Sequence, residues 1–206
     1  IGGVAGGATV AARLRRLDEN ASILLFEKGS YISYANCGLP YYIGDTIPER
    51  NSLFLQNPTT FGNRFNVDVR VRSEVTSIDK EKKCITYTQL DTHKILTVPY
   101  DKLVLSPGTT PVFPPIKGIN LPNIFTLKDV NDTDAIKSHL SKHTGNSRKT
   151  AVVVGAGFIG LEMAENLHKI GMKVVIVEKA AHVMPTIDPE ISLTLQQHLL
   201  EKDAQI

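Results

Sequence analysis

The chain has 206 residues, 42% of them hydrophobic and 21% charged, the proportions of an ordinary globular protein with room for one large or two small domains. Lys and Arg number 23 against 21 Asp and Glu, and the resulting net charge of +2 argues for no nucleic-acid or membrane-surface partner. No apolar run reaches the 18 residues of a transmembrane candidate, and two cysteines, Cys37 and Cys84, do not make a secreted disulfide framework.

Ile1-Gly2-Gly3-Val4-Ala5-Gly6-Gly7 reads as a glycine-rich loop. Ala8 to Leu17 reads as the helix that follows, broken by Asp18-Glu19-Asn20. Ile23 to Phe26 is a short, continuous apolar run, the pattern of a buried parallel strand, and Glu27 stands at its end. In Ser33-Tyr34-Ala35-Asn36-Cys37-Gly38-Leu39-Pro40, Asn36 is a good N-cap and Pro40 suits a first helical turn. Cys37 is then expected at a helix N-terminus. Asp68 to Ile78 and Cys84 to Thr88 are expected strands, joined through a charged hairpin turn at Asp79 to Lys83. Lys102 to Leu105 is expected to be another buried strand, and Pro111, Pro114 and Pro115 mark a linker. A helix is expected over Val130 to His143.

The opening pattern then returns complete. Ala151 to Val154 is a strand, Gly155-Ala156-Gly157-Phe158-Ile159-Gly160 a loop, and Leu161 to Ile170 a helix stopped by Gly171. Val174 to Val177 is the next strand, ended by Glu178, and Pro189 to Lys202 a further helix. The fold class is therefore α/β, with two Rossmann-like, three-layer dinucleotide-binding domains. They are placed at 1–115 and 116–206, with the linker near 112–125. The first loop starts without its preceding strand, and Asp203 to Ile206 stands where another strand begins. The chain is accordingly expected to be truncated at both ends.

Pyrophosphate must approach backbone N–H groups at a helix start, where side chains would block it. Gly155, Gly157 and Gly160 fill all three positions of G-x-G-x-x-G, and Glu178 can accept a hydrogen bond from the ribose 2′-OH. That carboxylate favours NADH over NADPH, with Lys179 beside it as a softening charge. The first loop is irregular: Gly2 and Gly7 hold the outer positions, but Val4 takes the central one. Cys37 at a helix start would be held toward its thiolate, the reactive form, whereas the bland alternative is a buried, inert cysteine. No second cysteine lies nearby, so a redox Cys37 works alone, through a mixed disulfide, a persulfide or a sulfenic acid. Cys84, between Lys83 and Ile85, reads as structural.

These residues together resemble the single-cysteine branch of the pyridine nucleotide-disulfide oxidoreductases. That branch holds coenzyme A-disulfide reductases, coenzyme A persulfide reductases, NADH oxidases and NADH peroxidases. The resemblance rests on Gly2 to Gly7 with its central valine, Ala12 to Leu17, Ser33 to Gly44 around Cys37, and Tyr100 to Gly108. It implies FAD at Gly2, Gly7, Glu27, Lys28, Val75, Ser106, Pro107 and Gly108. It implies NADH or NADPH at Gly155, Gly157, Phe158, Ile159, Gly160, Glu162 and Glu178, with Glu162 near the nicotinamide. Cys37 is implied as the catalytic nucleophile that carries coenzyme A as a mixed disulfide. Thr9, Arg13, Arg16, Ser33 and Asn36 are implied as coenzyme A contacts, the arginines by phosphate pairing; a solvated helix face is their alternative. A lysine of the family is replaced near Arg64-Phe65. The implied activity is NAD(P)H-dependent disulfide reduction in the cytoplasm by a homodimer whose dimer domain follows Ile206. Oxygen or peroxide reduction through a Cys37 sulfenic acid, persulfide reduction, and a flavin-based redox sensor are the rival readings. No metal is implied.

Overall fold

Glycine loops between short apolar runs set the architecture seen in the computed structural model, which describes residues 1–142 and 149–206. The chain divides into two units, Ile1–Ala35 with Phe54–Thr110, and Asn36–Leu53 with Pro111–Ile206.

In the first unit, helix α1 spans Ala5–Leu17, strand β1 Leu24–Phe26, helix α3 Pro58–Phe65 and strand β2 Asp68–Arg70. β1 and β2 pair in parallel, Leu24 opposite Asp68 and Phe26 opposite Arg70. Small residues at Ala8 and Ala11 let α1 approach the sheet, where they pack with Ile23, Leu25, Ile32, Phe61 and Val67. α3 starts on a capping box, Asn57 accepting from the Thr60 amide while Thr60 accepts from that of Asn57. Strands β3 (Ser73–Asp79), β4 (Cys84–Gln89) and β5 (Lys94–Pro99) form a separate antiparallel sheet in that order. Its inner face, Ile85 and Tyr87, packs on Phe26.

Four expectations need correction here. α1 begins at Ala5, inside the expected loop, because Gly6 and Gly7 lie in its first turn. The expected strand from Asp68 to Ile78 is two strands. Arg72 adopts φ +52, and the bonds Arg72 N to Gly29 O (3.0 Å) and Ser73 N to Glu27 O (2.9 Å) turn the chain from the parallel pair into the antiparallel sheet. β5 was not anticipated. Lys102 to Leu105 forms no strand, and Val104 and Leu105 are 44% and 56% exposed. Among the described residues, Val104 O accepts from Ile1 N (2.9 Å) and the following Ser106 N donates to Ile1 O (2.8 Å), which is too little to make a ladder. The charged turn is as expected: Asp79 accepts from the amides of Glu81 and Lys82.

In the second unit, helix α2 is Leu39–Ile43, α4 Val130–Lys142, strand β6 Thr150–Val154, helix α5 Phe158–Lys169, strand β7 Lys173–Val177 and helix α6 Pro189–Glu201. β6 and β7 pair in parallel, Val152 opposite Val175. The core joins Val174 and Ile176 of β7 to Met163, Ala164 and Leu167 of α5, Ile136 of α4 and Ile43 of α2. Burial alternates along β6 and β7, and Val152 and Val154 are 59% and 72% exposed. Gly171 stops α5 at φ +87, as its position implied. His143, the last residue of the helix expected over Val130 to His143, lies outside the described residues.

Candidate functional site

Two glycine loops, one per unit, share a backbone design. Gly2 and Gly155 adopt φ +95 and +98, a region costly for any residue with a Cβ. Each donates its amide to the last residue of the following strand, Gly2 N to Phe26 O and Gly155 N to Val177 O, both at 2.8 Å. A Cβ on Gly7 would stand 1.7 Å from Gly2 O, and one on Gly160 2.0 Å from Gly155 O. The outer glycines are therefore required by backbone closing on itself. The central position differs. Val4 caps α1 and Gly157 caps α5, neither through a side-chain hydrogen bond. A Cβ at Gly157 would meet nothing within 4 Å, so the glycine there leaves open space before the helix start. An uncapped N-terminus facing open space fits a phosphate group.

Glu27 and Glu178 lock these loops. Glu27 Oε2 accepts from Gly3 N and its Oε1 from Gly29 N, both at 2.7 Å. Glu178 Oε2 accepts from Ala156 N at 2.7 Å and its Oε1 from Ala180 N at 2.8 Å. The amides of Ala180 and then Ala156 hold the Glu178 carboxyl below the ordinary glutamate range.

Of the other residues expected to bind FAD, Ser106 lies against the first loop. Its carbonyl would be 2.0 Å from a Cβ on Gly2, and its Oγ 3.0 Å from one on Gly6. Pro107 and Gly108, at φ +70, continue from it. Lys28 pairs with Glu74 at 2.7 Å, next to half-buried Val75 on β3. Glu162 is half-buried one turn into α5, beyond the exposed Phe158 and Ile159.

Thr9, Arg13 and Arg16 are spaced to share one face of α1, and all three are exposed. Arg16 Nε donates to Ala12 O at 3.3 Å, while Arg13 makes no side-chain bond to the described residues. The arginine between them is fully engaged: Arg15 donates to the carbonyls of Phe65, Asp18, Glu19, Ala21 and Asn66. Ser33 takes a left-handed backbone, φ +47, with its amide on Gly3 O at 3.0 Å and its carbonyl accepting from Leu55 N at 2.9 Å. Such strain in a residue bearing a side chain persists only where neighbours fix it.

The cysteine segment departs from expectation. Asn36, Cys37 and Gly38 form a single 3-10 turn, and Gly38, not Asn36, caps α2. α2 has five residues, so it offers Cys37 little macrodipole. Pro40 does sit in the first turn, and Cys37 is exposed. Cys84 is half-buried in β4.

Residues distant in sequence fix this segment within its unit. Arg50 grips Asp134 with two donors, Nε to Oδ1 at 2.8 Å and Nη2 to Oδ2 at 2.7 Å. Lys137 donates to Tyr42 O at 2.8 Å, pairs with Asp45, and lies 4.4 Å from the centre of the Tyr42 ring. Asn166 is 1% exposed and holds its place by donating to Glu162 O at 2.8 Å. A Cβ on Gly44 would come within 2.4 Å of its Oδ1. None of Arg50, Asp134, Lys137 or Asn166 stands out in the sequence, because Arg50 meets Asp134, Lys137 meets Tyr42 and Asn166 meets Gly44 and Thr46 across tens of residues. Among the described residues, no group of three or more His, Cys, Asp and Glu could hold a metal ion, and no helix is long and apolar enough to cross a membrane.

The family model described as pyridine nucleotide-disulphide oxidoreductase matches residues 1–206. A coenzyme A disulfide reductase of Staphylococcus haemolyticus is 37% identical over 199 residues, 97% of this chain and 44% of that protein. The crystal structure of reduced CoADR-RHD from Bacillus anthracis superposes with a TM-score of 0.95 at 48% identity, over 99% of this chain and 36% of that one. An NAD-dependent persulfide reductase of A. fulgidus superposes at 0.93 with 35% identity, over 99% and 37%. The chain thus spans under half the length of these relatives.

Proposed function

The chain belongs to the pyridine nucleotide-disulphide oxidoreductase family, and from that premise we propose that it is part of an FAD-dependent enzyme that uses NADH to reduce coenzyme A disulfide through a single cysteine, Cys37. The observation that carries the reading is the pair of matched glycine loops, each closed by a glutamate, in a chain with one exposed cysteine. The S. haemolyticus and B. anthracis relatives support the choice of substrate.

In this reading residues 1–115 carry the flavin and 116–206 the nicotinamide. Gly2, Gly7, Glu27, Lys28, Val75 and Ser106 to Gly108 would hold FAD, which supplies the two-electron relay between nicotinamide and sulfur. Gly155, Gly157, Phe158, Ile159 and Gly160 take the dinucleotide at the start of α5, with Glu178 on its ribose and Glu162 toward the nicotinamide. Glu178 favours NADH, since the 2′-phosphate of NADPH would face a carboxylate.

The Cys37 thiolate attacks one sulfur of coenzyme A disulfide. The S–S bond breaks, one coenzyme A thiolate leaves, and a Cys37–coenzyme A mixed disulfide forms. Two electrons originating in NADH cleave that bond, returning the Cys37 thiolate and the second coenzyme A. Arg13 and Arg16, with Thr9, Ser33 and Asn36, would receive the coenzyme A; the planar fork of donors on a guanidinium suits its phosphates, and Arg16 keeps its Nη donors for them while its Nε rests on Ala12 O. The working form is a cytoplasmic homodimer.

NADH consumption with coenzyme A disulfide tests the reading on the full-length protein. Cys37→Ser is expected to abolish disulfide turnover while NADH still bleaches the flavin. Undiminished turnover in the variant overturns it. The A. fulgidus relative supports a second reading, in which the acceptor is a persulfide, taken here as that of coenzyme A. Faster NADH oxidation with persulfide than with disulfide would select it.

A further inference from the structure

Glu27 and Glu178 each spend both carboxylate oxygens on backbone amides, one in the glycine loop and one two residues past the glutamate. The four distances fall between 2.7 and 2.8 Å. The loops differ at the central position, Val4 against Gly157, yet the clamp is the same. The arrangement therefore follows the glutamate and not the loop sequence. Ala156, which Glu178 holds, is fully buried directly before Gly157, so the clamp sets the backbone that leads into α5.

We propose that Glu178 is a positioning residue for the dinucleotide diphosphate: it fixes the Gly155–Gly160 loop in its receiving form, independently of any contact with the ribose. This rests on the nicotinamide reading of that loop. A carboxylate has about four acceptor sites, so two amides leave capacity for a ribose hydroxyl. A specificity consequence follows. Replacing Glu178 to admit a 2′-phosphorylated cofactor also releases the loop, and so weakens binding of both nicotinamide cofactors. Glutamine is no substitute, because its NH2 would face one of the two N–H donors.

The test uses the full-length protein as wild type, Glu178→Ala and Glu178→Gln. Amide hydrogen exchange at Ala156 and Ala180 is measured without nucleotide. Dissociation constants are measured for NADH and for an NADH analogue built on 2′,3′-dideoxyadenosine, which has no adenosine-ribose hydroxyl to offer. Glu178→Ala is expected to exchange faster at both amides and Glu178→Gln at the one its NH2 faces, and both to bind the dideoxy analogue about tenfold or more weakly, the scale of a lost hydrogen bond to a charged acceptor. Unchanged exchange overturns the clamp. Weaker NADH binding with undiminished analogue binding overturns the positioning role and leaves Glu178 a ribose contact. Slow exchange in a wild type that binds neither nucleotide overturns the nicotinamide reading and supports the clamp.

Discussion

At Gly7 and Gly160 the backbone approaches itself so closely that only hydrogen fits between. Gly160→Ala would press a methyl group 2.0 Å from the Gly155 carbonyl, which is backbone and cannot swing aside. Destabilisation of about 3 kcal/mol is expected from this overpacking, read from denaturant midpoints. Gly157→Ala should separate stability from binding. Its Cβ meets nothing within 4 Å and its φ of −80 suits alanine, so stability should move by less than about 1 kcal/mol while NADH binding weakens. Glu178 adds a pH signature. Its carboxyl is held low by the Ala180 and Ala156 amides, so its stabilisation is fully present above the ordinary glutamate range. It is lost as pH falls through the lowered value. Acid unfolding should therefore begin at higher pH in Glu178→Gln than in the wild type if other carboxylates titrate alike, and coincident transitions would refute this. The outer glycines and both strand-end acids were legible in the sequence because loop, helix and strand fix their spacing locally. Arg50, Lys137 and Asn166 were not, because what makes them matter is a partner 84, 95 or 120 residues away, respectively Asp134, Tyr42 and Thr46.

At the level of elements, strong periodic segments were readable and chain corners were not. α5, β6 and β7 follow from their apolar patterns. The corner at Val71-Arg72 carries no glycine or asparagine to announce it, and is held by bonds to Gly29 and Glu27. α2 was placed correctly around Pro40, but its start was not, since Asn36 enters a 3-10 turn instead of capping the helix. What fixes α2 is its packing on α5, where Gly44 lies under the buried Asn166 side chain. Gly44→Ala cannot be relieved cheaply, because Asn166 is anchored to Glu162 O. A loss of about 1–3 kcal/mol is expected. On the proposed function, slower coenzyme A disulfide turnover should accompany it, with NADH-driven flavin bleaching unchanged. Stopped-flow traces of the two half-reactions would show whether the effect is confined to the sulfur side.

For the whole molecule, the sequence revealed two nucleotide-binding starts but not that Asn36–Leu53 would belong with the second unit. No local pattern encodes that membership. It is built from the Arg50–Asp134 pair, the Lys137 contacts and the burial of Ile43 at 1%. Native-state hydrogen exchange across a denaturant series should reflect it. Residues 36–53 are expected to gain and lose protection together with residues 150–177, and out of step with residues 54–99. NADH should strengthen protection over residues 36–53 along with the second unit, by the mass-action stabilisation of its folded form. Protection of residues 36–53 that tracks residues 54–99 would disprove the assignment.

That interleaving also imposes an order on biosynthesis. Residues 36–53 leave the ribosome well before α4, α5 and β7, which supply their packing partners. With roughly 100 residues still to be made at roughly 5–20 per second, the apolar side of α2 stays uncovered for on the order of ten seconds. Over that interval the nascent chain presents Cys37 on an unanchored stretch, to whatever thiols, disulfides or chaperones surround it.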